Sequence, residues 1–127
     1  MIKVGIDVLQ ISRISEKVKN SEDFLNIILT DNEINYCKSK VGEVESDIKK
    51  YQSIAGIYSA KEAFYKALGA GIKSLEYFKM IEIDHYESGQ PFVKVLKEFD
   101  ILTNCKEIAL SISHDGDIAT SICIIET

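Results

Sequence analysis

Residues 47–69 read DIKKYQSIAGIYSAKEAFYKALG, and the fold follows from how this stretch is read. No proline interrupts it. Gly69 supplies a stop, because glycine enters the left-handed conformation that ends helices without a Cβ penalty. With each residue advancing 100°, Tyr51, Ile54, Ala55, Tyr58 and Tyr65 fall on one stripe, and Ile57, Phe64 and Leu68 on a second. A helix that is apolar on two sides is buried. The spacing therefore predicts a long central helix over about Asp47–Leu68, around which the rest of the chain packs.

Outward from that helix, residues 2–8 (Ile-Lys-Val-Gly-Ile-Asp-Val) alternate as a strand, with Ile2, Val4, Ile6 and Val8 on one face and Asp7 beside Gly5 on the other. Residues 11–19 suit a short helix, and Ser21-Glu22-Asp23 starts another that runs through Leu29. Thr30 and Glu33 have capping-box spacing, which predicts a helix from Asp31 to about Lys38. Residues 39–46 are small, charged and aperiodic, as in a loop. Further on, Phe78–Asp84 reads as a strand, Ser88-Gly89-Gln90-Pro91 as a turn, and Phe92–Val95 as a second strand. Residues 96–104 suit a short helix with Leu96, Phe99 and Leu102 aligned. Ile108–Ser113 and Ile118–Ile125 flank His114-Asp115-Gly116-Asp117, a hairpin signal. The expected class is α+β: one domain over residues 1–127, with an antiparallel sheet and a long buried central helix.

Composition limits the partners. The chain has 127 residues, 46% of them apolar, which is enough for a real core without disulfides and excludes a disordered tail, a coiled coil or a collagen. Cys37, Cys105 and Cys123 are odd in number and lack C-x-x-C spacing, so they fit a reducing cytoplasm better than a disulfide framework or a zinc site. No secretory signal and no apolar run of about 20 residues is visible, which points to a soluble cytoplasmic protein with no membrane partner. Fifteen basic against twenty acidic residues give a net charge of −5, too acidic for general nucleic-acid binding. Arg13 is the only arginine, so any bidentate fork has one candidate.

Glu62 is the most informative residue for chemistry. It lies within the Tyr51–Ala55–Tyr58–Tyr65 stripe, where an apolar side chain is expected. One explanation is an i,i+4 pair with Lys66 on a solvated face. The other is a partly buried carboxylate that must be paired, protonated or metal-bound. Asp7 either faces solvent from a half-exposed strand or joins Glu62 around a hard cation. Oxygen ligands without a His/Cys set favour Mg²⁺, with waters and a substrate phosphate filling the remaining positions. Gly69-Ala-Gly71, between Lys66 and Lys73, is a helix stop or a phosphate site built from lysines and backbone N–H groups; the helix C-terminus itself has the wrong dipole for phosphate. Ser113-His114-Asp115 is not a triad by adjacency alone, and His114 is either a phosphate donor or a turn residue.

In combination these pieces resemble the holo-[acyl-carrier-protein] synthases, the short bacterial 4′-phosphopantetheinyl transferases. The matching stretches are Gly-Ile-Asp7 followed by Arg13-Ile14, Ile28-Leu29-Thr30 with Glu33, and Ser59-Ala-Lys61-Glu62-Ala63-Phe-Tyr-Lys66-Ala67-Leu-Gly69-Ala-Gly71-Ile72. Gly89-Gln-Pro91 and Leu110-Ser-Ile-Ser-His114 follow in family order. The resemblance implies transfer of 4′-phosphopantetheine from coenzyme A to a serine of apo-acyl carrier protein, for fatty acid biosynthesis, with release of 3′,5′-ADP. By motif position Asp7 and Glu62 would hold Mg²⁺ on the coenzyme A pyrophosphate, with Lys66 against the phosphates. Gly69, Gly71, Gly89, Pro91 and His114 would help form the coenzyme A site, and Arg13 would meet the carrier protein. The resemblance further implies a homotrimer with active sites shared between neighbours.

Family members are often basic where this chain has Asp23 and Ile27, and carry arginine where it has Ile57. Carrier docking should therefore draw less on long-range attraction, with Lys17 and Lys19 as compensating cations. The alternatives are a non-catalytic coenzyme A or carrier-protein binding module of the same fold, and a purely structural domain in which Glu62 pairs with Lys66.

Overall fold

The computed structural model describes residues 1–40, 47–97 and 105–127. The loop expected up to residue 46 lies outside the described residues from 41 onward, as does the helix expected over 96–104 from 98 onward. The elements run β1 (Ile2–Gln10), α1 (Ile11–Asn20), α2 (Phe24–Ile28), α3 (Asp31–Ser39) and α4 (Asp47–Ala67). A 3₁₀ turn (Leu75–Lys79), β2 (Ile81–His85), β3 (Pro91–Val95), β4 (Glu107–Asp115) and β5 (Ile118–Glu126) follow. The class is α+β with antiparallel pairing throughout: a three-stranded sheet in the order β1-β5-β4 and a separate β2–β3 hairpin.

The central helix is buried, as its two apolar stripes demand. Ile54, Ala55, Ile57, Ala60, Ala63, Phe64 and Tyr65 are at most 2% exposed. At its end Gly69 adopts φ +96°, and its N–H bonds the Lys66 carbonyl while the N–H of Gly71 returns to that of Tyr65. Thr30 caps α3 as expected: its Oγ1 accepts from the Glu33 N–H, and Glu33 Oε1 accepts from the Thr30 N–H.

One open choice is decided and one expectation is corrected. The first concerns β1. The alternation is real, but the face turned toward α4 carries Gly5, Asp7 and Leu9, while Ile2, Val4, Ile6 and Val8 are each at least 60% exposed. Close approach of the helix explains the choice. A Cβ built on Gly5 would lie 2.0 Å from the Ala63 carbonyl oxygen and 2.5 Å from the Ala67 nitrogen. Only the glycine-bearing face lets two small helix residues come that near. The second concerns Phe78, expected to begin a strand. It sits in the 3₁₀ turn, its ring tilted 5.2 Å from that of Tyr58, and the strand begins at Ile81.

The reason for the turn is a buried ion pair. Lys61 is fully buried, and its ammonium donates to Glu33 Oε1 at 2.6 Å, to the Ile28 carbonyl at 2.8 Å and to the Phe78 carbonyl. Glu33 Oε2 accepts from the Ile83 N–H at 2.7 Å. Burial pushes the Glu33 carboxyl up and the Lys61 ammonium down, and each opposes the other's shift. This network joins α3, α4, the 3₁₀ turn and β2, and so fixes the hairpin against the central helix.

Candidate active site

Asp7 is placed by β1 on the helix-facing side of the sheet, in register with Ser121 of β5 and, one strand further, Ile112 of β4. Its carbonyl accepts from Thr120 Oγ1 at 2.8 Å and Ser59 Oγ at 3.4 Å, which anchors the strand to both neighbours. Its side chain is 11% exposed. Oδ1 accepts from Lys66 Nζ at 3.1 Å, and that ammonium also donates to the Ile6 carbonyl at 3.2 Å. Oδ2 is buried with no hydrogen-bond partner.

Glu62 is half-buried on the same side. Burial first, and then the Asp7 carboxylate, hold its pKa above the ordinary carboxylate value, while Lys66 and Lys17 oppose the shift. The i,i+4 explanation of Glu62 is not realised: the ion pair that Lys66 makes among the described residues is with Asp7. Tyr58, one turn before Glu62, feels both carboxylates, and with burial they push its phenol up and keep it neutral.

A carboxylate with a buried, orphaned oxygen and a second, half-buried carboxylate within its field fit a hard divalent cation. No cluster of three or more His, Cys, Asp or Glu is found among the described residues. Two carboxylates underfill an octahedron, which suits an ion that keeps water and phosphate ligands better than a protein-caged metal. The cysteines are free, and burial pushes the Cys37 and Cys123 thiols up to about 12, so neither is an activated nucleophile.

The other expected site residues separate into two groups. Gly69 and Gly71 follow Lys66, but their N–H groups are spent on the helix end, so no free nest forms there; what they offer is left-handed backbone and open space where a Cβ would be. Gly89, Pro91 and His114 line a cavity of about 400 Å³ together with Lys40, Lys49 and Gln52. That cavity adjoins the N-terminal half of α4 and β4, whereas Asp7, Glu62 and Lys66 adjoin its C-terminal half and β1. Since β1 and β4 are the two edges of the sheet, one chain holds the two groups apart. Arg13 is exposed on α1, one turn before Lys17. Asp23 and Ile27 are exposed at α2, and Ile57 is buried against the cavity. The roles of Tyr58, Lys40 and Lys49 in these surroundings escape a sequence reading, because an aromatic on an apolar stripe and lysines in a charged stretch carry no distinguishing signal.

Residues 3–123 match the 4′-phosphopantetheinyl transferase superfamily. The chain belongs to this superfamily. Among curated relatives, the holo-[acyl-carrier-protein] synthase of Halothermothrix orenii is 41% identical over 127 residues, covering 97% of this chain and 95% of that protein. The crystal structure of Helicobacter pylori holo-[acyl-carrier-protein] synthase in complex with coenzyme A superposes with TM-score 0.79 at 32% identity, covering 97% of this chain and 99% of the other. The Bacillus anthracis holo-(acyl-carrier-protein) synthase in complex with CoA (3′,5′-ADP) gives TM-score 0.79 at 30% identity, covering 98% and 96%. In this phosphopantetheinyl transferase, Asp7 and Lys66 are paired and Glu62 lies within the field of Asp7, where β1 meets the C-terminal half of α4.

Proposed function

We propose that this chain, as one domain over residues 1–127, is a Mg²⁺-dependent holo-[acyl-carrier-protein] synthase. It transfers 4′-phosphopantetheine from coenzyme A to a serine of apo-acyl carrier protein. The observation that carries the metal requirement is the buried, unpartnered Oδ2 of Asp7 beside the half-buried Glu62.

In the transfer, the serine oxygen forms a bond to the phosphorus that bears pantetheine. The bond from that phosphorus to the bridging oxygen breaks, and 3′,5′-ADP leaves with the electron pair. Asp7 and Glu62 would hold Mg²⁺, which when bound neutralises charge on the pyrophosphate. Lys66, about half exposed and tethered to Asp7, is positioned to meet phosphate oxygens. The serine proton goes to Glu62 or to a water. Arg13 and Lys17, on the exposed side of α1, offer cations to an acidic carrier.

The exposed row Ile2, Val4, Ile6 and Val8, continued by Ile122 and Ile124, supports a homotrimer. Apolar rows of this extent mark association surfaces. Copies meeting there would complete one coenzyme A site from two chains: Asp7, Glu62, Lys66, Gly69 and Gly71 from one, and Gly89, Pro91 and His114 with Lys40 and Lys49 from its neighbour. Among the described residues no helix is long and apolar enough to cross a membrane. A cytoplasmic place in fatty acid biosynthesis fits the cysteine chemistry and the carrier substrate.

The test is the intact mass of apo-acyl carrier protein after incubation with this protein, coenzyme A and Mg²⁺. A gain of one phosphopantetheine, abolished by EDTA, is expected. No gain, with coenzyme A still bound in calorimetry, would favour a binding module instead.

A further inference from the structure

Resting on the reading of α1 as the helix that meets the carrier protein, we propose that Asp117 is a positioning residue for carrier docking. From the turn of the β4–β5 hairpin it caps α1 and holds the end of that helix that bears Arg13. α1 begins at Ile11 directly after β1 ends at Gln10, with no loop between them. Gln10 gives no side-chain cap and the first turn of α1 holds no acidic residue, so the adjoining chain leaves the first N–H groups unanswered. Asp117, 105 residues beyond Ser12, answers them. Its carbonyl accepts from the Ile11 N–H at 2.7 Å, its Oδ1 from the Ser12 N–H at 2.9 Å and its Oδ2 from the Ser12 hydroxyl at 2.6 Å.

Asp117 is itself firmly placed. Gly116, at φ +56°, and Asp117 make a two-residue turn closed by the Asp115–Ile118 pair, and Ile118 is also in register with Gln10. The carboxylate therefore stands beside the joint between β1 and α1. Elsewhere α1 is held by Ile11, Ile14 and Val18, a single apolar stripe on the core, while Ser12, Arg13, Glu16 and Lys17 are exposed. Apolar packing is non-directional and a helix of 10 residues is marginal alone, so the stripe does not fix the end of α1. The three bonds of Asp117 do, and its anion complements the helix dipole. The guanidinium fork of Arg13, one residue after the capped Ser12, meets a carboxylate bidentately only from a fixed backbone. These bonds go to α1 and none to Asp7, Glu62 or Lys66. His114, on the same hairpin, is held by its own pairing with Ala119. Loss of the cap should thus alter carrier recognition and leave coenzyme A binding and the transfer step alone.

Steady-state transfer by the full chain in its native assembly with Mg²⁺, varying apo-acyl carrier protein and coenzyme A in turn, is the test. Asp117→Ala is expected to raise the KM for the carrier about fivefold, the population factor of a lost cap, with kcat and the KM for coenzyme A unchanged. Ser12→Ala, which removes the Oδ2 bond alone, should give a smaller rise in the same KM. Asp117→Asn keeps an acceptor for the Ser12 N–H and should stay within about twofold of wild type. Hydrogen exchange without substrates should be faster at the Ser12 amide in Asp117→Ala and not in Asp117→Asn, and thermal melts confirm that each variant is folded. An unchanged carrier KM in both Asp117→Ala and Ser12→Ala overturns the proposal. So does an equal rise in the KM for coenzyme A, or a loss in Asp117→Asn as large as in Asp117→Ala. Arg13→Ala tests the docking reading by itself. A wild-type carrier KM in Arg13→Ala, with fast exchange in Asp117→Ala, would remove α1 from docking and leave Asp117 a helix cap only.

Discussion

Lys66 reaches from α4 to Asp7 on β1, Nζ to Oδ1 at 3.1 Å, and leaves the second oxygen of Asp7 buried without a partner. The ammonium thus answers a carboxylate that is 59 residues away in sequence, not Glu62 one turn before it on the same helix. One oxygen of Asp7 is satisfied by the chain, the other is not, and the carboxylate is near enough to Glu62 to help raise its pKa. This division of one carboxylate between a lysine and an unpartnered oxygen is the feature on which the proposed cation site rests.

Lys66→Ala should therefore separate stability from chemistry. The lysine side chain is 47% exposed, so solvent screening holds its contribution to folding below about 1 kcal/mol. As a cation against a phosphate that gains charge in the transition state, its removal should lower kcat by about a hundredfold. Urea midpoints and single-turnover transfer on the same preparation test both. Transfer that survives while stability falls would make Lys66 a structural residue.

Glu62 gives a pH-dependent signature that can be read without substrate. Its pKa in the folded chain lies above the ordinary value of 4.5 because of burial and the Asp7 carboxylate. The native chain therefore keeps this proton over a window in which the unfolded chain has lost it. The stability Glu62 contributes is full below its unfolded pKa and is lost as pH rises through its folded pKa. Glu62→Gln removes that loss, so in metal-free buffer the variant gains stability relative to wild type as pH climbs from about 4.5 toward neutrality. Mg²⁺ should reverse the ranking by stabilising wild type alone. Urea unfolding at several pH values, with and without Mg²⁺, is the measurement. An equal Mg²⁺ gain in both proteins would remove Glu62 from the metal site.

Much of this architecture could be read from residue order, and the exceptions have physical causes. The capping box at Thr30 and Glu33, the Gly69 stop and the hairpin within His114–Asp117 are local signals, and each formed, the hairpin with its turn at Gly116-Asp117 one residue beyond the Asp-Gly pair's own start. The side of β1 that faces the helix was not local. Alternation gives two faces but not their destinations, and the Gly5 side turned inward because Ala63 and Ala67 lie against its backbone. Lys61 stands beside Glu62 in the same motif, yet a lysine is rarely fully buried unless paired, and its partner Glu33 is 28 residues away. Asp7 and Glu62 were legible as candidates by residue type. Their division from His114 across the sheet was not, because strand order is a property of the whole chain.

The Lys61–Glu33 pair should be far more costly to break than the Lys66–Asp7 pair, whose lysine is about half exposed. Lys61→Met leaves the Glu33 carboxylate buried without its ammonium and deprives the Ile28 and Phe78 carbonyls of their donor. Breaking one side of a buried pair costs about 3–5 kcal/mol. Adding Glu33→Gln to Lys61→Met should recover part of that loss, since no unpaired charge then remains. Equilibrium unfolding of the single and double variants gives both numbers. Equal stability of the single and double variants would mean that the carbonyl contacts, not the charge pair, hold the hairpin to α4.

Ile6→Glu addresses the outer face of β1, where Ile6 is 64% exposed in the single chain and its neighbours Val4 and Val8 are 60% and 64% exposed. The side chain points away from α4, so the substitution leaves the helix-facing side of the strand, Gly5 and Asp7 included, untouched. In an isolated chain a charge at this position would be almost neutral for stability. Between copies it would bury carboxylates in an apolar interface, where an unpaired charge is strongly unfavourable. Sedimentation should then show a trimer for wild type and a monomer for Ile6→Glu, with circular dichroism unchanged. Because Asp7, Glu62 and Lys66 adjoin one sheet edge and His114 the other, the monomer should also lose transfer while keeping its fold. A monomeric Ile6→Glu that transfers phosphopantetheine at the wild-type rate would show that a single chain supplies the complete site.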